Sequence, residues 1–144
     1  MSIFNRRPGA HQWRGVINEY RHRLPVSEQT PVVTLNEGGT PLIFACNLSE
    51  ILKNNVWIKY EGLNPTGSFK ARGISVAISK AKETGIKRCI IPTAGNAGGA
   101  LAAYCAKAGI KCTVVMPAHT PNVFKQECNL YGAALILVEG LIND

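Results

Sequence analysis

The chain has 144 residues, 46% hydrophobic and 17% charged, a balance that excludes disorder over the whole length and allows one globular domain with a real core. Its formal charge of +7 comes from lysines and arginines spread along the chain, often beside Asp or Glu, so it reads as a solvated basic surface and not as a nucleic-acid-binding patch. No apolar run reaches the roughly 18 residues needed to cross a bilayer, and residues 1–15 carry charge without a hydrophobic leader core, so a soluble, cytoplasmic, unprocessed chain is expected.

In chain order, the first predicted element is an amphipathic surface helix over residues 12–23, where Val16, Ile17 and Tyr20 recur at helical spacing among arginines. A Pro-bounded stretch over 24–31, a strand over 32–35 and a turn over 37–41 follow, and this region up to residue 55 is too small to be an independent domain. From there β-rich and Ala-rich segments alternate. Strands are predicted at 56–60, 88–92, 112–116 and 134–138, and helices at 68–83, 96–108 and 121–131. This βαβαβαβ order is the signature of a parallel, doubly wound α/β sheet. Gly85, Gly109 and Gly132 each fall just past a predicted helix, where positive φ is commonly required.

Five cysteines, Cys46, Cys89, Cys105, Cys112 and Cys128, contain no C-x-x-C pair and sit among apolar residues, so buried free thiols are expected. His11, His22 and His119 have no metal-ligand spacing. Paired carboxylates and a Ser-His-Asp arrangement also find no support. His119 falls in a loop after a strand at the expected ligand edge, where either a surface position or a substrate contact fits. Leu141 to Asp144 ends soon after a strand, which reads as a cut chain.

Two loops could carry chemistry. The segment Asn64-Pro65-Thr66-Gly67-Ser68-Phe69-Lys70-Ala71-Arg72-Gly73 turns after a strand and opens a helix near Ser68, a plausible N-cap. Lys70 falls in that first turn, where the helix dipole and Arg72 both disfavour a further positive charge and so favour the neutral, nucleophilic amine. By its residues alone the position reads first as an ordinary exposed surface lysine. The second loop, Thr93-Ala94-Gly95-Asn96-Ala97-Gly98-Gly99, also joins a strand to a helix, and its small residues would let a ligand approach backbone amides. Close helix-sheet packing through Gly98 and Gly99, and an N-cap role for Asn96, are the structural alternatives. Neither a dinucleotide fingerprint nor a P-loop is present. Together the loops could surround an aldehyde cofactor and a carboxylate substrate.

Residues 64–73 resemble the lysine segment of fold-type-II pyridoxal-phosphate (PLP) enzymes, and residues 93–99 resemble their asparagine loop. The upstream sequences Trp13-Arg14-Gly15-Val16-Ile17, Tyr20-Arg21, Leu24-Pro25-Val26 and Leu35-Asn36-Glu37-Gly38-Gly39-Thr40-Pro41-Leu42 resemble the opening of threonine synthases, from about Trp13 to Glu139 overall. The resemblance implies a tryptophan-synthase-β-like fold whose large carboxyl-terminal domain lies outside these residues. Residues 1–55 would pack on that domain, and 56–144 would form the small domain with the PLP lysine. It further implies a lyase that converts O-phospho-L-homoserine and water to L-threonine and phosphate. Lys70 would be the Schiff-base residue, with Lys70, Asn96 and Phe69 contacting the cofactor. The substrate carboxylate would lie on Thr93, Ala94, Gly95, Asn96 and Ala97. A phosphorylated amino acid is the implied substrate, and a homodimer or a complementing carboxyl-terminal half the implied partner. Ala71 and Ala97 depart from the Asp and Thr or Ser usual in the family, and the glycine-rich phosphate loop of the family is not among these residues. A serine or threonine dehydratase, and a catalytically silent fragment, are the alternative readings.

Overall fold

Strands β3 (Arg88–Pro92), β4 (Lys111–Pro117) and β5 (Ala134–Val138) form a parallel sheet in the order β3-β4-β5, with Cys89 opposite Cys112 and Val114 opposite Leu135. The computed structural model describes residues 11–141. The leader and chain-end readings involve residues 1–10 and 142–144, which lie outside that range. The crossover helices α4 (Asn96–Ala108) and α5 (Asn122–Leu130) contact each other and the strands, so they lie side by side on one face of the sheet. The core is where α4 meets β4, with Ala100, Ala102, Tyr104, Cys105, Val114 and Met116 almost fully buried. Gly85, Gly109 and Gly132 all have positive φ, as expected past helix ends. The longest element, α3 (Lys70–Glu83), packs chiefly on α4.

The upstream region departs from expectation. The helix foreseen over 12–23 is only α1 (Val16–Tyr20) followed by a 3-10 turn (Arg21–Arg23). Gly15 stops it with φ 90°, and a Cβ there would lie 2.2 Å from Thr34 Oγ1. Val16 and Ile17 are buried as foreseen, whereas Tyr20 is largely exposed. No strand forms over 32–35. The Val33 amide donates to the Ser79 hydroxyl at 2.9 Å and the Leu35 amide to Glu37 Oε2 at 3.1 Å, so side chains satisfy the groups a sheet would have paired.

The strand expected at 56–60 also changes partner. It is β2 (Trp57–Lys59), paired antiparallel with β1 (Leu42–Phe44) in a separate ribbon that joins residues on both sides of position 55. Between them lies α2 (Cys46–Leu52), whose start has no side-chain cap and whose residues are not buried. The ribbon and α2 leave Leu42, Phe44, Ile51, Leu52 and Trp57 exposed. Among the described residues no helix is long and apolar enough to cross a membrane, and no cluster of His, Cys, Asp and Glu could hold a metal. Three cysteines are buried, but Cys46 is exposed and Cys89 half-buried, a correction to the expectation of five buried thiols.

Candidate functional site

The lysine segment leaves β2 through two successive 3-10 turns, Glu61–Leu63 and Pro65–Gly67. Because β2 belongs to the ribbon, this turn does not hang from the edge of the parallel sheet as expected; the Pro65–Gly67 turn rests against α4 instead. Thr66 adopts φ 61°, which folds the chain back towards α3. Ser68 is extended and accepts the Lys70 amide on its hydroxyl at 3.3 Å, so it acts at the helix start although Phe69 is the boundary residue.

Lys70 is the first residue of α3, exposed, with Nζ 4.4 Å from the centre of the Phe69 ring, itself 56% exposed. The electrostatic expectation for this turn needs correcting. Arg72 does not present a bare charge to Lys70, because its Nε and Nη2 each lie 2.7 Å from the Glu61 carboxylate. That guanidinium, against the opposing cost of burial, and the Thr40 and Asn64 side chains hold the Glu61 carboxyl down to about 2.

Asn64, almost wholly buried, ties this turn to the Gly38–Gly39 bend. Its Oδ1 accepts the Gly38 amide at 2.8 Å, and its Nδ2 donates to the Glu61 carbonyl and to Glu61 Oε2 at 2.9 Å each. Gly38 and Gly39 both have positive φ beneath the Trp13 ring, where a Cβ on either would approach within 2.5 or 2.7 Å.

In the second loop, Thr93 is buried, Gly95 and Ala97 are half-buried, and Ala94 and Asn96 are exposed. The Thr93 amide is taken up by Val115 at 2.9 Å, and the Gly95 amide by Thr93 Oγ1 at 3.2 Å. Within this segment the amides of Ala94, Asn96 and Ala97 have no acceptor among the described residues. Asn96 is the first residue of α4 and not its N-cap, a position held by Gly95. The packing roles of the glycines are real: a Cβ on Gly98 would lie 2.9 Å from Met116 Cε and from Thr93 Cγ2, and one on Gly99 2.1 Å from Glu127 Oε2.

Thr66, Gly67 and Asn96 line one open groove with Phe124, Glu127 and Leu130 of α5. The structure thus brings the lysine turn and the asparagine loop to the same opening. Burial raises the Glu127 carboxyl above its usual range. Sequence reasoning missed Glu127, and it missed Glu37, whose carboxylate is fully buried. Its two oxygens accept from the Val16 and Leu35 amides and lie within 2.9 Å of the Thr34, Ser75 and Tyr104 hydroxyls. The available signal was an acidic residue between a hydrophobic stretch and Gly-Gly, a place with no obvious solvent-facing role. His119 is exposed, and Lys125 donates to the Ala118 carbonyl at 2.6 Å, bracing the loop after β4.

Comparison with known proteins shows what the chain is similar to. A family model described as pyridoxal-phosphate dependent enzyme matches residues 33–144. A threonine synthase of Halalkalibacterium halodurans is 47% identical over 130 residues, 90% of this chain and 37% of that protein. One from Synechocystis sp. is 48% identical over 138 residues, 94% of this chain and 36% of that protein. The solved structure of a fungal L-serine ammonia-lyase from Rhizomucor miehei superposes with a TM-score of 0.69 at 29% identity, over 74% of this chain and 35% of the other. The chain spans little more than a third of the length of these relatives.

Proposed function

The chain belongs to the family of pyridoxal-phosphate-dependent enzymes, and on that premise we propose that it carries the cofactor lysine and carboxylate-binding loop of a threonine synthase, acting on O-phospho-L-homoserine and releasing L-threonine and phosphate. The observation that carries the reading is the exposed Lys70 amine in the first turn of α3, three residues past Gly67, which with Thr66 lines the same groove as Asn96 at the start of α4. The residues fit the group: an unburied primary amine suits an aldehyde, and amides without acceptors at a helix start suit an anion.

When bound, pyridoxal phosphate supplies the electron sink that stabilises carbanions beside the amino-acid nitrogen. Lys70 Nζ tethers the cofactor, then takes up and returns the proton at the substrate's α-carbon. Phe69 and Asn96 hold the cofactor ring. The Ala94, Asn96 and Ala97 amides receive the substrate carboxylate, within the loop from Thr93 to Ala97. Residues 11–55, which are bonded to α3 and α4 through Val33 and Glu37, also pack on a larger domain of the kind the longer relatives have room for, and residues 56–144 form the domain that carries the lysine. The whole assembly works in the cytoplasm.

A second reading, dehydration of serine or threonine, is supported by the likeness to the L-serine ammonia-lyase fold. Phosphate release from O-phosphohomoserine against 2-oxoacid formation from threonine, measured on the chain with a complementing carboxyl-terminal portion, separates the two. The cofactor reading itself is tested by borohydride fixation of pyridoxal phosphate and peptide mapping, beside Lys70→Ala. Label concentrated on Lys70 supports it; label spread over the surface lysines alike in both proteins refutes it.

A further inference from the structure

Helix α3 carries Lys70 on one side and a polar column on the other. At about 100° per residue, Arg72, Ser75, Ser79 and Glu83 lie roughly 140–220° around the helix axis from Lys70. All four are bonded to one stretch of chain, residues 27–40. Arg72 Nη2 donates to Thr40 Oγ1 at 3.2 Å. The Ser75 hydroxyl lies 2.9 Å from Glu37 Oε1 and 3.2 Å from the Val33 carbonyl, and the Ser79 hydroxyl accepts the Val33 amide. Glu83 Oε1 accepts from the Thr30 and Ser27 hydroxyls at 3.0 and 3.2 Å.

Ser75 and Ser79 are fully buried, so a helix turned out of this setting would leave the Val33 amide and the Glu37 carboxylate short of partners. Apolar contacts along α3 are non-directional and resist such a turn less sharply. At the Lys70 end the seam is anchored by Glu61, whose carboxylate grips Arg72 twice.

We propose that this seam is a positioning device for the nucleophile: segment 27–40 sets the rotation of α3 and keeps Lys70 on the exposed side, and Glu61 acts on Lys70 through Arg72. The importance of the device rests on Lys70 being the cofactor lysine, whereas its geometry does not.

The test uses the full chain as wild type, Glu61→Gln, which keeps shape and removes charge, and Glu61→Asp, which keeps charge. Under conditions where circular dichroism reports all three folded, two quantities are read. One is amide hydrogen exchange over residues 68–75. The other is the share of borohydride-fixed pyridoxal phosphate on Lys70 relative to the exposed Lys53 and Lys107. Glu61→Gln is expected to speed exchange over 68–75 by about tenfold while α4 stays protected. It should cut the Lys70 share by about fivefold, with Glu61→Asp restoring most of it. Unchanged exchange, or loosened amides with an undiminished Lys70 share, overturns the proposal. Should wild type fix no more on Lys70 than on Lys53 and Lys107, the cofactor reading falls and the exchange alone decides the seam. Ser79→Ala, farther along the same column, gives the same pair of readings if Glu61→Gln does not fold.

Discussion

Residues 88–138 and residues 11–41 satisfy their backbones by different means. In the first region three strands bond to one another in register and two helices satisfy themselves, so almost any apolar side chains of suitable size serve. In the second, Val16, Val33, Leu35 and Gly38 rely on acceptors from Glu37, Ser79 and Asn64, three of these pairs separated by 21 to 46 residues. A region held by repeated main-chain ladders has redundancy. One held by a few buried side chains can be undone by a single change.

That contrast breaks first at Glu37. Glu37→Ala leaves several buried donors without their acceptor and is expected to cost about 4 kcal/mol. Limited proteolysis should then cut within 11–41 while 88–138 stays resistant. A variant that loses both regions at one urea midpoint would remove the distinction. The converse experiment is Gly98→Ala, expected to cost about 2 kcal/mol because the new methyl meets Met116 and Thr93. Here the sheet half should lose hydrogen-exchange protection before segment 27–40 does.

The Glu61–Arg72 pair ties α3 to the turn before it and, through Thr40, to the upstream segment, and its effect is sharpened by pH. Glu61 has a folded value of about 2 against an ordinary 4.5, so its contribution is complete above 4.5 and is lost as the pH falls towards 2. With solvent screening allowed for, that contribution is about 2 kcal/mol. The urea midpoint of wild type should fall across this window more steeply than that of Glu61→Gln; equal slopes would show the pair to be inert.

The smallest effect is expected at Cys46→Ser, within about 0.5 kcal/mol, because Cys46 is exposed on α2. In the native chain a thiol reagent should modify Cys46 readily and leave Cys128 untouched, since burial pushes that thiol up to about 11.

What could be read from the sequence follows the same division. The strands Arg88–Pro92 and Ala134–Val138 and the helix Asn96–Ala108 have the bounds that periodicity and glycine stops predict, since local pattern and final packing agree there. The strand predicted over 32–35 failed because Ser75 and Ser79, far along the chain, compete for its main-chain groups. The helix foreseen over 12–23 failed because Gly15 makes room for Thr34. β1 and α2 were missed because their apolar residues stay exposed and leave no two-sided pattern. In the candidate site, Lys70 and Asn96 stood out by their place at helix starts, whereas Glu37 and Glu61 acquire meaning only from the partners that folding brings to them.

Gly98, in the first turn of α4, has a consequence for timing. With no side chain at Gly98, the helix start rests directly on Met116, Val114 and Thr93, so the unpaired amides of Asn96 and Ala97 are indexed to the sheet and not to a mobile loop. If they receive the substrate carboxylate as proposed, their arrangement is complete before it arrives, and the ordering entropy that a flexible loop would lose on binding has already been met in folding.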